Sequence, residues 1–72
     1  MRIPPPFIAN ATKHGLSKRQ AEIAFMLSQG EPWKAIAAEQ RISMRTIAYH
    51  SNVIKWRMHA PNLLSAIVKL LS

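Results

Sequence analysis

The chain contains no cysteine and no aspartate, and its only acidic residues are three glutamates. Without thiols it forms neither disulfides nor thiolate metal sites, so its fold depends on packing. The chain has few carboxylates, and its three histidines lack the spacing of metal ligands. Few side chains are therefore present that could carry out acid–base or hydrolytic chemistry. We therefore expect neither an enzyme nor a metal or cofactor site.

Long apolar runs are also missing from the sequence. No stretch approaches the ~18 apolar residues of a membrane span, and Pro4, Pro5 and Pro6 stand where a secretory signal would carry its apolar segment. We expect a cytoplasmic protein that does not bind membranes.

Positive charge dominates what is present. Ten Lys and Arg residues against three acids give the 72-residue chain a net charge of +7. Polyanions are therefore the first partners to consider, with nucleic acid ahead of an anionic membrane surface. The membrane alternative is weaker because the apolar C-terminal segment carries a single cation, Lys69. A chain this short forms one domain, whose small core favours association with a partner.

The organisation predicted along the chain is a flexible leader over residues 1–15 and a helical domain over residues 16–72. The triple proline of the leader favours extended polyproline geometry, and the polar residues after it have a weak helical pattern. Phe7 and Ile8 are the leader residues that are candidates for docking on the core.

The pattern of the domain predicts an all-α fold of four helices. Ser17, with Gln20 three residues later, forms a capping box that begins the first helix, and Gly30 ends it. Pro32 is tolerated in the first turn of a short second helix, which runs to about Gln40.

The third helix, capped by Ser43, is predicted to have two different faces. Its core stripe recurs at helical spacing and consists of Ile47, Ser51, Ile54 and Met58. Its opposite face is rich in hydrogen-bonding groups and consists of Arg45, Ala48, Tyr49, Asn52 and Trp56. We expect Trp56 to pack against the leader or the last helix.

A fourth helix, capped by Asn62, is apolar on more than one side. A small core buries one face only, so the second apolar strip predicts a partner helix.

The second and third helices, joined by a tight turn of Arg41 and Ile42, form a helix-turn-helix candidate. From Leu16 to about Val68 the sequence resembles the LuxR-type (GerE) DNA-binding domain. The motifs that carry the resemblance are Leu16 to Ile23, Gly30, Lys34, Ile36-Ala37, Ile42-Ser43, Thr46-Ile47 and His50. Residues 57–62 are similar to the Lys-Leu-x-Ala-x-Asn segment common in the quorum-sensing branch of that family.

The resemblance implies a transcription regulator that binds pseudo-palindromic double-stranded DNA as a homodimer. The residues in the family's base-reading places are Tyr49, Asn52 and Ala48. Those near phosphates are Trp33, Lys34, Arg45, Thr46 and His50. In the last helix, the dimer contact would involve Leu64, Ile67, Val68 and Leu71.

The residue chemistry agrees with parts of this assignment. The Asn52 amide donates and accepts together, which suits the edge of adenine. Lys34 and Arg45 are cations suited to phosphate. His50 lies at the edge of the core stripe, where it either contacts phosphate or braces two helices. For Trp33, core packing and a DNA contact are about equally expected.

Three departures from the family pattern keep a second function open. Ala48 stands where many members have a basic residue, Val53 where they have Asn, and the second helix begins Pro32-Trp33 in place of a hydroxyl and amide pair. The alternative is a LuxR-like protein that binds and modulates another regulator through its fourth helix. RNA polymerase is a further possible protein partner.

Overall fold

The computed structural model describes residues 2–72, and all regular secondary structure in this part of the chain is α-helix, with no strand. The prediction of an all-α fold is confirmed, but residues 2–72 form five helices rather than four. The helices are α1 (Pro5–Lys13), α2 (Lys18–Ser28), α3 (Trp33–Gln40), α4 (Met44–Met58) and α5 (Leu63–Leu71).

Helix α1 corrects the prediction of a flexible leader. Pro5 and Pro6 occupy the first turn, where a helix needs no amide donor from them. Phe7 and Ala11, four residues apart, are both buried in the core, whereas Ile8 is 44% exposed. Burial of one narrow face thus stabilises a helix whose own sequence pattern is weak.

The predicted helix caps are confirmed. The Ser17 hydroxyl accepts from the backbone N–H of Gln20 at 3.1 Å, and the Gln20 side-chain oxygen accepts from the Ser17 N–H at 3.0 Å. Ser43 and Asn62 cap α4 and α5 in the same manner, with side-chain oxygen to backbone nitrogen distances of 3.1 and 2.8 Å. Each cap satisfies a helix N–H that would otherwise lack a partner.

The helix ends use left-handed backbone conformations. Gly30, which was predicted to end the first helix of the domain, follows α2 with φ of 80°. Arg41 and His59 end α3 and α4 with φ of 57° and 53°. Both are side-chain-bearing residues in a conformation that costs about 1–2 kcal/mol. The N–H of the residue after each closes the turn, Ile42 donating to Ala37 and Ala60 to Lys55, both at 3.0 Å to the carbonyl oxygen.

The core is built around α4, which packs against α2, α3 and α5. Its predicted core stripe is confirmed, since all four members are buried. The largest fully buried side chains are Ile23, Ile36, Ile47, Ile54, Met58 and Leu70. None of the helices in residues 2–72 is long and apolar enough to cross a membrane.

Candidate nucleic-acid interface

Helices α3 and α4 form the predicted helix-turn-helix. The turn between them is closed by the N–H of Ile42, which donates to the carbonyl oxygen of Ala37 at 3.0 Å. The Ile42 side chain is half-buried against the core. Arg19 of α2 donates to the carbonyl oxygen of Gln40, the last residue of α3, at 3.3 Å. The position of α4 is therefore set by both α2 and α3.

The outer face of α4 is exposed and carries mixed polar and aromatic groups. Arg45, Tyr49, Asn52 and Trp56 are all exposed and follow the same four, three, four spacing as the core stripe. This face is displaced from the stripe by two residues, or about 200° around the helix. Because α4 buries one side completely, the opposite side is free to contact a ligand.

The predicted packing of Trp56 is not found in the structure. Its side chain is 71% exposed, so it packs against neither the leader nor the last helix. Helix α1 packs on α2 and α5, which leaves the outer side of α4 uncovered by the N-terminal segment. Trp56 therefore extends the outer face of α4 towards its C-terminal end.

Ala48 and Val53 flank the outer face of α4 and are half-buried. Ala48 precedes Tyr49 in the chain, and its methyl group leaves room for a ligand to approach the helix closely. Tyr49 is 61% exposed, and its ring meets the ring of His50 nearly edge to face, with centroids 5.4 Å apart. Of the three residues in the predicted base-reading places, Tyr49 and Asn52 are thus the two that are exposed.

The first turn of α4 is suited to an anion. It contains no acidic residue, and the backbone N–H groups at a helix start carry partial positive charge. Arg45 lies there with its side chain exposed. The Thr46 hydroxyl is 3.0 Å from that of Ser43, so it shares in the cap of the helix.

The first turn of α3 places Trp33 and Lys34 next to each other with different exposure. Trp33 is half-buried and packs against the core, whereas Lys34 is exposed. The structure therefore supports core packing for most of the Trp33 side chain and leaves the Lys34 ammonium group free in solvent.

His50 joins α4 to α2. Its Nδ1 atom lies 3.3 Å from Nε2 of Gln20. Burial of the ring, and then the positive charge of Arg19, lower the pKa of His50. The ring is therefore neutral near pH 7, and the predicted bracing of two helices by His50 is found. Sequence reasoning missed Gln20 as its partner, although a capping box uses only the oxygen of that amide and leaves its nitrogen in need of an acceptor.

A second exposed surface lies on α5. Leu64, Val68 and Leu71 are exposed and share one side of the helix, at spacings of four and three residues. Beside them is a groove of about 330 Å³ that also involves Leu27. Ile67, the fourth residue of the predicted dimer contact, is only 7% exposed and packs mainly in the core, although it also lines this groove.

Lys69 is held by the protein rather than fully solvated. Its ammonium group donates to the carbonyl oxygens of Met58 and His59, at 3.0 and 3.3 Å, at the end of α4.

Within residues 2–72, no three side chains of the types that bind metals come close enough together to hold an ion.

A comparison with protein-family models shows which family the chain belongs to. The family model described as bacterial regulatory proteins, luxR family (GerE), matches residues 14–70, well over half of the chain. The chain belongs to the LuxR family. Its α3 and α4 are thus the helix-turn-helix of a DNA-binding regulatory domain, and the match ends short of α1 on the N-terminal side. No curated protein and no solved structure matches the chain significantly.

Proposed function

We propose that this LuxR-family protein regulates transcription by binding a specific sequence in double-stranded DNA, as a homodimer in the cytoplasm. One observation carries the proposal. Helix α4 buries a complete core stripe and exposes, on its other side, a face with hydrogen-bonding and aromatic groups. A helix of this kind, supported by a second helix across a tight turn, fits the major groove.

Asn52 and Tyr49 are the proposed readers of base edges. Both are exposed, and Asn52 pairs best with adenine because its amide matches the N6 and N7 pattern. The Tyr49 hydroxyl donates to a base or a phosphate. Ala48 between the core and this face contributes an apolar contact, which suits the methyl group of thymine.

The phosphate contacts come from the helix starts. Lys34 and Arg45 supply exposed cations at the first turns of α3 and α4, and Thr46 and His50 supply hydrogen-bonding groups. Trp33 contributes through its exposed edge alone. Contacts of this kind position the domain and set the salt dependence of binding without reading the sequence.

The exposed strip of α5 is the proposed dimer contact. Leu64, Val68 and Leu71 form a continuous apolar side, and pairing with the same side of a second copy removes it from water. Two copies related by a two-fold axis read two half-sites, so the target is a pseudo-palindrome. The resemblance of residues 57–62 favours a place in the quorum-sensing branch.

The test is a fluorescence anisotropy titration of the protein with duplexes chosen by several rounds of selection from a random pool. Random duplex of equal length is the control, and both are measured across a range of salt concentrations. We expect the selected sequences to be palindromic and to bind more tightly than random duplex, with affinity falling as salt rises. Equal binding of selected and random duplexes would overturn sequence-specific recognition.

A second candidate function uses α5 in a different way. Ala48, Val53 and the Pro32-Trp33 start lack groups that bind DNA in many members of the family, whereas the α5 strip exposes three apolar side chains. On this alternative, α5 binds the matching helix of another LuxR-type regulator, or a surface of RNA polymerase, and modulates it. Stoichiometric capture of a purified LuxR-type regulator by a protein without DNA affinity would favour this function.

A further inference from the structure

The orientation of the Gln20 amide is determined by a backbone group. Gln20 is buried, and its Oε1 atom accepts from the N–H of Ser17 at 3.0 Å. A backbone N–H donates only, so the oxygen of the amide must face Ser17. The nitrogen Nε2, which donates only, then faces the opposite way.

That nitrogen points at His50 and determines where the imidazole carries its proton. Nε2 of Gln20 lies 3.3 Å from Nδ1 of His50. Because Gln20 donates, Nδ1 must accept and be unprotonated, and the neutral ring therefore carries its proton on Nε2. The lowered pKa of His50 agrees with a neutral ring.

The free end of the His50 ring is open to a ligand. Within residues 2–72, Nε2 of His50 has no hydrogen-bond partner, and it is not among the buried atoms that lack one. The ring also contacts Tyr49, which belongs to the outer face of α4. The His50 N–H is thus a donor without a protein acceptor, at the border of the proposed DNA-binding face.

We propose that Gln20 is a positioning residue, which holds His50 in the Nε2–H tautomer so that α4 presents an uncharged N–H donor to a DNA phosphate oxygen. The choice of phosphate rests on the proposed function, whereas the tautomer does not. The capping box of α2 thereby has a second role, since the Ser17 N–H orients Gln20 and Gln20 orients the donor on α4.

Two variants separate this role from a structural one. Gln20→Glu keeps the oxygen that accepts from Ser17 but replaces the donor facing His50 with an acceptor, so the proton must appear on Nδ1. Gln20→Met keeps the length of the side chain and removes both hydrogen bonds. A purely structural role for Gln20 would lower the melting temperature of both variants without moving the proton in Gln20→Glu.

The measurement is a long-range proton–nitrogen correlation spectrum of the imidazole groups in the full chain at neutral pH, with His50 assigned by His50→Gln. We expect an unprotonated Nδ1 in the wild type and a protonated Nδ1 in Gln20→Glu. A protonated Nδ1 in the wild type, or an unprotonated one in Gln20→Glu, would overturn the positioning role.

The same sample, titrated with a selected duplex, tests the ligand. We expect the His50 N–H signal to shift and its exchange with water to slow, and Gln20→Met to bind about two- to tenfold more weakly because one oriented hydrogen bond is lost. DNA binding that leaves this signal unchanged would overturn the phosphate contact. Failure to bind any duplex would overturn the proposed function and leave the tautomer result standing.

Discussion

The rings of Phe7 and Phe25 meet edge to face, with centroids 5.4 Å apart and planes at 75°. This contact joins α1 to α2 and makes the N-terminal helix a part of the core, with Phe7 only 5% exposed. Aromatic pairs in this geometry add to the stability that burial of each ring already provides.

Removal of the Phe7 ring should therefore destabilise the domain strongly. Phe7→Ala is expected to lower the free energy of unfolding by about 3–5 kcal/mol, because it leaves a cavity in the core. Ile8→Ala, which truncates an exposed neighbour on the same helix, is the matched control and should cost well under that. Urea unfolding followed by circular dichroism measures both, and equal small losses would show that α1 is only loosely attached.

The second contact of α1 is a cap on the last helix. The Asn10 amide donates to the carbonyl oxygens of Lys69 and Leu70, each at 3.1 Å. Asn10→Ala should cost about 1–2 kcal/mol and speed hydrogen exchange in the last turn of α5. Asn10→Asp should cost more, since a carboxylate would face carbonyl oxygens at the negative end of a helix. If Asp were tolerated better than Ala, the contact would not act as a cap.

Ser51 introduces a polar atom into the core stripe of α4. Its hydroxyl is buried and has no hydrogen-bond partner within the described residues. Ser51→Ala should therefore raise the free energy of unfolding by about 1–2 kcal/mol, because it removes a desolvated group without a partner. Ser65→Ala in α5 controls for the better helix propensity of alanine. A loss of stability in Ser51→Ala relative to that control would contradict the unpaired hydroxyl.

Local patterns were sufficient to predict most of the domain, since caps and core stripes depend on residues a few positions apart. Ser17, Ser43 and Asn62 each begin a helix because their side chains satisfy neighbouring N–H groups. The same logic predicted the outer face of α4. These features need no knowledge of how the helices are arranged.

What the sequence could not predict depends on contacts between distant elements. Helix α1 is stabilised by packing against α2 and against α5, which is distant in the sequence, and the proline-rich segment on its own predicts a flexible leader. On α5 nearly every residue is apolar, and only the packing shows that Ile67 faces inward while Leu64 faces out at 74% exposure. The partnership of Gln20 with His50 joins residues thirty positions apart.

The proposed division between base and phosphate contacts leads to different effects on DNA binding. Asn52→Ala should weaken binding to the selected sequence by about 1–3 kcal/mol and leave random duplex nearly unaffected. Lys34→Ala should weaken both alike and reduce the slope of affinity against salt by about one unit. Equal losses for Asn52→Ala on both duplexes would remove Asn52 from the base-reading set.

The two sides of α5 allow the dimer contact to be tested without confusing it with unfolding. Val68 is exposed, so Val68→Glu should leave the helical circular dichroism spectrum unchanged and shift the protein from dimer to monomer in sedimentation equilibrium. Ile67→Glu buries a charge in the core and should unfold the domain instead. Met44→Glu, at an exposed apolar residue that begins α4, is the control and should remain dimeric. A Val68→Glu protein that sediments at the wild-type dimer mass would place the dimer contact elsewhere. If the variant is a monomer and no longer prefers palindromes to half-sites, α5 is linked directly to DNA recognition.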